Sequence, residues 1–402
     1  MGSATAQNQA PAQLQLQILP ETAIQSEVAP QPPLPIPAQS QPAAQTPEEK
    51  PIPHIALLLP LKSASFGRAA EAVQMGFLAA ANSQPHTVPI KIYGSFDESK
   101  DIATLYQAAI SAGAVAVAGP LTRDGVATLI ANAKIDVPTL ALNLAENKGS
   151  GQMYFFGLPM EAEARQVAQL AAAAKLRHAT IVSTVTPLTK RLVQAFTEEW
   201  KALGGSVTAE IVFKDDPAAL AMLPTAADDT APIPAPPLGA PDATVPPAIA
   251  PGNMVFLAAD TEKARLIRPY LSAALPVYAT SQLFNGNADT LVNYDLNDIR
   301  FVDMPWLLQP DHPAVMIYPR AYPPLEPDRE RLYALGIDAF RLVQILLAKN
   351  YAAVLPLDGV TGRISLTTDN QFHRTAVAAQ IRQGRSQSPV ATPSLVGPRS
   401  RP

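Results

Sequence analysis

The sequence predicts an α/β protein of two lobes, each a mainly parallel sheet flanked by helices. Three observations carry this: continuous apolar runs of strand length, helix-length segments between them, and a restart of the same alternation after about residue 158. Repeated strand–helix–strand units imply parallel pairing with right-handed crossovers, and two successive sets imply two lobes.

The first set opens with Ile55-Ala-Leu-Leu-Leu-Pro60, a run with no polar face, as expected of a strand covered on both sides. A helix is expected over 67–81, a strand over 88–93, and a helix over 99–112 with Ser99 as its N-cap. A strand over 114–118 ends in Gly119-Pro120, followed by a helix at 124–133 and strands at 138–143 and 154–158. The second set has helices at 161–175 and 189–203, the latter stopped by Gly204-Gly205, and strands at 179–183 and 207–213. It continues with a strand at 254–258, a helix at 261–271 and a strand at 277–279. A long apolar helix over 330–349 precedes a strand–turn–strand signal over 359–372, with Thr368-Asp369-Asn370 at the turn.

Proline marks the rest of the organisation. Of 42 prolines, 11 fall in residues 1–53 and 10 in 217–251. Residues 1–52, rich in Gln, Pro and Ala, cannot bury enough apolar surface to offset the entropy of ordering, so they are expected to form a disordered tether. The domain boundaries expected are 53–384 for the two-lobed body, with lobe I at about 53–158 and 310–356. Lobe II is expected at about 159–309 and 357–384, with a Pro-rich loop insertion at 216–251, and a loose tail at 385–402.

A formal net charge of −4, with no basic stripe on any expected helix, argues against a nucleic-acid partner. The absence of cysteine excludes disulfides, thiolate-zinc sites and a lipid-accepting thiol within this chain. Met1-Gly2-Ser3 reads as an expression scar or trimmed end, and no apolar run is long enough to span a bilayer. No G-x-S-x-G, H-E-x-x-H, P-loop, Ser-x-x-Lys or Lys-Thr-Gly motif occurs, and Gly149-Ser-Gly151 precedes a strand where a dinucleotide fingerprint would follow one. The five histidines are scattered and read as surface residues; no metal or cofactor is expected.

Ligands of open α/β sheets sit beyond the carboxyl ends of the strands. Those ends supply Lys62, Ser63 and Ser65, then Gly119, Leu121 and Thr122, then Asn143, and in the second set Asp260, Thr280 and Ser281. Such small hydroxyl and amide groups near helix N-termini either hold an anion or amino-acid-like ligand, or serve as caps and turns. Asp303-Met-Pro-Trp-Leu-Leu308 lies outside any periodic helix; Asp303, Trp306 and Leu307 read either as a crossover buried between the lobes or as an apolar surface for a partner. Asp338 and Arg341, three apart on the long helix, are expected to pair.

Several of these segments carry a family likeness. Ile55 to Pro60, Ala118-Gly-Pro-Leu121, Leu140-Ala-Leu-Asn143, Pro276-Val-Tyr-Ala-Thr-Ser281, Asp303 to Leu308 and Leu332-Tyr-Ala-Leu-Gly-Ile-Asp-Ala-Phe-Arg-Leu342 resemble the LppC family of outer-membrane lipoproteins. The resemblance implies a fold like the type I periplasmic binding proteins. It also implies a non-catalytic regulator that docks on a class A penicillin-binding protein in the periplasm and stimulates its transpeptidase activity. Membrane attachment would be through a lipid anchor, whose cysteine and signal peptide are not in this chain. The larger family members carry an N-terminal helical domain resembling tetratricopeptide repeats; here a Pro/Gln tether precedes the fold. Two other functions remain open on the residues alone. One is a solute receptor for an amino acid or small peptide. The other is a peptidoglycan hydrolase, which needs two closely placed carboxyl groups.

Overall fold

The computed structural model describes residues 51–84, 88–144, 151–223, 252–287 and 290–388. The expected tether up to residue 50, the insertion beyond Leu223 and the tail beyond Ser388 lie outside the described residues.

In chain order the first set of elements is β1 (His54–Leu59), α1 (Gly67–Ser83), β2 (Ile90–Gly94), α2 (Glu98–Ser111), β3 (Ala114–Ala118), α3 (Arg123–Asn132), β4 (Thr139–Ala141) and β5 (Met153–Phe156). The second set is α4 (Met160–Ala173), β6 (His178–Thr184), α5 (Pro187–Ala202), β7 (Ser206–Phe213), β8 (Asn253–Ala258), α6 (Thr261–Ile267), β9 (Val277–Ala279), α7 (Thr290–Tyr294) and β10 (Arg300–Asp303). Then come α8 (Pro305–Leu308), α9 (Pro313–Met316), α10 (Pro327–Ala348), α11 (Tyr351–Val354), β11 (Leu357–Asp358), β12 (Arg363–Leu366), β13 (Gln371–Thr375), β14 (Val377–Arg382) and β15 (Arg385–Gln387).

Two sheets result. One has the order β11-β12-β13-β5-β4-β3-β1-β2 and the other β15-β14-β10-β9-β8-β6-β7. The strands read as continuous apolar runs are the central ones: every residue of β1 is buried, with parallel partners on both sides. Helices cover both faces of each sheet, giving four apolar clusters. The closest helix packing is α1 on α10, where Gly76 faces the Tyr333 carbonyl and Gly336 faces that of Val73. A Cβ on Gly76 would lie 1.8 Å from the first oxygen, and one on Gly336 2.1 Å from the second, so the two backbones meet only because both positions lack a side chain. A mid-helix glycine costs about 1 kcal/mol against alanine; here it permits the contact that seats α10 in lobe I, where Phe77 meets Phe340 edge-on at 5.3 Å.

Most element boundaries differ from the expected ones by one to three residues, and a few differences matter. The N-cap of α2 is Asp97, whose carboxylate accepts from the Ser99 amide at 3.1 Å; Ser99 itself is inside the helix. His54 is buried, its ring bonded to the Ile52 carbonyl and the Tyr93 hydroxyl, and is not the surface residue expected. The lobe assignment of 357–384 is corrected. β13 pairs in parallel with β5, Phe372 opposite Phe156, and Val360, Ile364 and Phe372 are buried in the lobe I core. Only β14 and β15 join the second sheet. Residues 304–309, assigned to lobe II, are corrected too: Met304 and Trp306 sit in the lobe I core while Leu308 stays in that of lobe II. Residues 385–387, expected in the tail, form β15 and pair antiparallel with β14. The insertion also begins in ordered structure: a 3-10 turn spans Pro217–Met222, and Leu220 and Leu223 are buried in lobe II.

Candidate functional site

The chain passes between the sheets three times: at Gly157–Pro159 between β5 and α4, at Met304 between β10 and α8, and at Ala376 between β13 and β14. Each passage is held by a buried or half-buried polar group. Glu163 on α4 meets Arg374 on β13 at 2.5 Å, both side chains under 5% exposed. Asp303, at the end of β10, meets Arg331 on α10 at 2.6 Å. Gln166 on α4 grips the third passage at both ends of its amide, donating to the Ala376 carbonyl at 2.7 Å and accepting from its N–H at 3.0 Å.

Ser281 ties the two ion pairs together. Its N–H donates to Glu163 at 3.0 Å, and its carbonyl accepts from Arg331 at 3.1 Å. The network continues through Thr361, whose carbonyl accepts from Arg374 and whose N–H and hydroxyl donate to Asp338. Asp338 also pairs with Arg341 at 3.0 Å, as its spacing predicts. Buried charges are tolerated only when paired and hydrogen-bonded. Burial opposes the charge on Arg331, but the Asp303 carboxylate outweighs it and holds the guanidinium above its usual value.

The expected cleft groups are largely committed to the protein itself. On lobe I, Thr122 and Leu121 do form an anion cradle, and it is filled. The buried Glu98 carboxylate accepts from the Leu121 N–H at 3.1 Å and from the Thr122 N–H and hydroxyl, each at 2.7 Å. Thr122 also caps α3 through the Gly125 N–H. Gly119, at φ +112°, allows the strand to pass the Leu58 carbonyl, which a Cβ would meet at 1.9 Å. The Asn143 side chain bridges to the Leu121 carbonyl and the Leu144 N–H. Ser63 accepts from the Phe66 N–H, and Lys62 lies 4.9 Å over the Phe96 ring; Ser65 is exposed. On lobe II, Asp260 caps α6, and Thr280 and Ser281 are buried, Ser281 holding the Glu163 carboxylate. The surface reading of Asp303 and Trp306 is corrected: both are fully buried, because Trp306 packs at 5.4 Å from the Tyr333 ring and under Arg320. Leu307 is half-buried.

Glu98, Glu163, Arg331 and Arg374 were not singled out from sequence. Glu163 and Arg374 lie 211 residues apart, a separation no spacing rule reaches. Burial pushes the Glu98 carboxyl above its usual value, against the pull of the Thr122 hydroxyl and the two amides. An acid with a raised folded value contributes its stability below the unfolded value and loses it as pH rises through the folded one. The stability of the native chain relative to Glu98→Gln is therefore expected to fall as pH rises above the ordinary carboxylate range in urea titrations. A difference that is flat or rises with pH would contradict this.

The LppC family model, described as "LppC putative lipoprotein", matches residues 30–384. The chain belongs to the LppC family. Among curated proteins it is similar to the penicillin-binding protein activator LpoA of Pantoea ananatis, at 28% identity over 76% of this chain and 47% of that protein. The LppC chain spans about half the length of the curated relatives it matches. Among solved structures, the C-domain of Haemophilus influenzae LpoA, a regulator of PBP1A, has a TM-score of 0.62 at 22% identity, covering 84% of this chain and 100% of that one. A Chromobacterium violaceum protein named "putative branched-chain amino acid ABC transporter" has a TM-score of 0.65 at 34% identity, covering 82% of this chain and 100% of that one. The LppC fold is thus that of the two-lobed periplasmic binding proteins. Among the described residues no helix is long and apolar enough to cross a membrane, and no cluster of metal-ligating side chains occurs.

Proposed function

We propose that this chain is a non-catalytic regulator of peptidoglycan synthesis that docks on a class A penicillin-binding protein in the periplasm and stimulates its transpeptidase activity. Family membership and the relatives named activators support the partner. The observation that carries the reading beyond the names is the self-filled strand ends. The groups a receptor would offer to an amino acid's carboxylate hold Glu98 and Glu163 instead. The charged network across the passages further opposes the lobe closure by which such receptors capture solutes. As a member of a lipoprotein family, the protein would be carried on the outer membrane by a lipid anchor.

The name of the Chromobacterium violaceum relative favours a second reading, a solute receptor. The two separate experimentally. The purified chain should be captured by the cognate class A synthase and should raise its rate of peptide cross-linking. Absence of capture at about 50 µM would sink the docking reading. A large thermal stabilisation by one free amino acid, with no effect on cross-linking, would establish the receptor reading in its place.

A further inference from the structure

Beside the filled strand ends lies a groove of about 720 Å³, well inside the range of small-ligand clefts. It is lined by the passage at Gly157–Pro159 and by Phe372 to Thr375 of β13, together with α3 on one lobe and α4 on the other. We propose that this groove is a binding site for a short peptide carrying at least two carboxylates, a role independent of docking on a synthase.

Two arginines line it, Arg123 at the start of α3 and Arg165 on α4. Each is held only loosely by the protein's own acids. Arg123 reaches Glu161 at 3.4 Å and Arg165 reaches Glu198 at 3.5 Å, with the arginine side chains 53% and 44% exposed. Glu161 is itself drawn to Arg191 at 2.7 Å. Exposed pairs of this length contribute about 0–1 kcal/mol, so an incoming carboxylate displaces them at little cost. A planar guanidinium then receives it through two parallel hydrogen bonds. Arg374, by contrast, is committed to Glu163 and leaves the groove's recognition to the other two.

One more feature fits a peptide. The lining also has apolar groups, Ala127, Leu144 and Ala162, beside the amides of Gln166 and Gln169, a mixture that suits a peptide better than a hydrated inorganic ion. Two acids also line the groove, Asp124 on α3 and Glu161 on α4. Asp124 disfavours a ligand with charge at that point, and Glu161 is the group an incoming carboxylate would displace from Arg123, leaving it to Arg191.

The test uses the whole chain with tri-glutamate, tri-glutamine and inorganic phosphate as probes, at matched ionic strength, by calorimetry. Tri-glutamate is expected to bind with a Kd below about 1 mM, and tri-glutamine and phosphate at least about tenfold more weakly. The double substitution Arg123→Gln and Arg165→Gln touches exposed groups, so the urea midpoint should hold while tri-glutamate affinity falls at least about tenfold. The proposal is overturned by no tri-glutamate binding at about 10 mM, by equal binding of tri-glutamine or phosphate, or by binding that survives the double substitution. Capture of the synthase by the same variant reports separately on docking.

Discussion

Replacing Arg331 by alanine is expected to lower the stability of the protein by about 3–5 kcal/mol, the range for breaking a buried ion pair. Arg331 is 8% exposed and donates to both oxygens of Asp303, to the carbonyls of Ser281 and Phe284, and to Asp328. Its loss would leave Asp303 in the core with the Met304 N–H as its remaining hydrogen-bond partner among the described residues. The cost comes from the orphaned carboxylate more than from the pair's own attraction, since taking two charges out of water nearly cancels what they gain from each other. Arg331→Met combined with Asp303→Leu should therefore recover at least about half of the loss. Urea unfolding of the two single variants and the double variant gives the cycle. Equal and additive losses, with no recovery in the double, would refute this account.

Gly336→Ala is expected to destabilise by about 3 kcal/mol, at the top of the range for overpacking. The added methyl would stand 2.1 Å from the Val73 carbonyl oxygen and 2.7 Å from the Phe77 nitrogen, both backbone atoms of α1. No side-chain rotation relieves such a contact; α10 must move off α1 and open the core around Phe77 and Phe340. On helix propensity alone the same substitution would stabilise by about 1 kcal/mol. The sign of the measured change in urea midpoint thus decides between local propensity and backbone packing.

Much of the fold was legible because parallel sheets covered on both faces leave continuous apolar strands. The runs at Ala114–Ala118 and Val277–Ala279 have the bounds the sequence indicates. Legibility failed where the physical cause is remote. Nothing in residues 357–384 marks the switch at Ala376 from one sheet to the other, since both strands alternate alike and the choice rests on pairing with β5 or β10. β10, Arg300-Phe-Val-Asp303, is short and begins and ends in charge, so it reads as loop. At the candidate site, the hydroxyls and amides of Thr122 and Ser281 were visible, but not what they hold. Glu98 is 24 residues from Thr122, and Glu163 is 118 from Ser281. Both acids sit in first turns of helices, where a carboxylate is ordinary.

The last strands carry a consequence for how the protein is made. Residues 357–387 supply β11, β12 and β13 to one sheet and then β14 and β15 to the other. A chain emerging from the ribosome therefore completes neither lobe until nearly its whole described length has been synthesised. The two lobes are not successive folding units that mature one after the other; they close together when one C-terminal ribbon threads into both. Cutting that ribbon anywhere along its length would deprive at least one sheet of strands it shares with no other part of the chain, and loss of native structure should spread across both lobes as a single event.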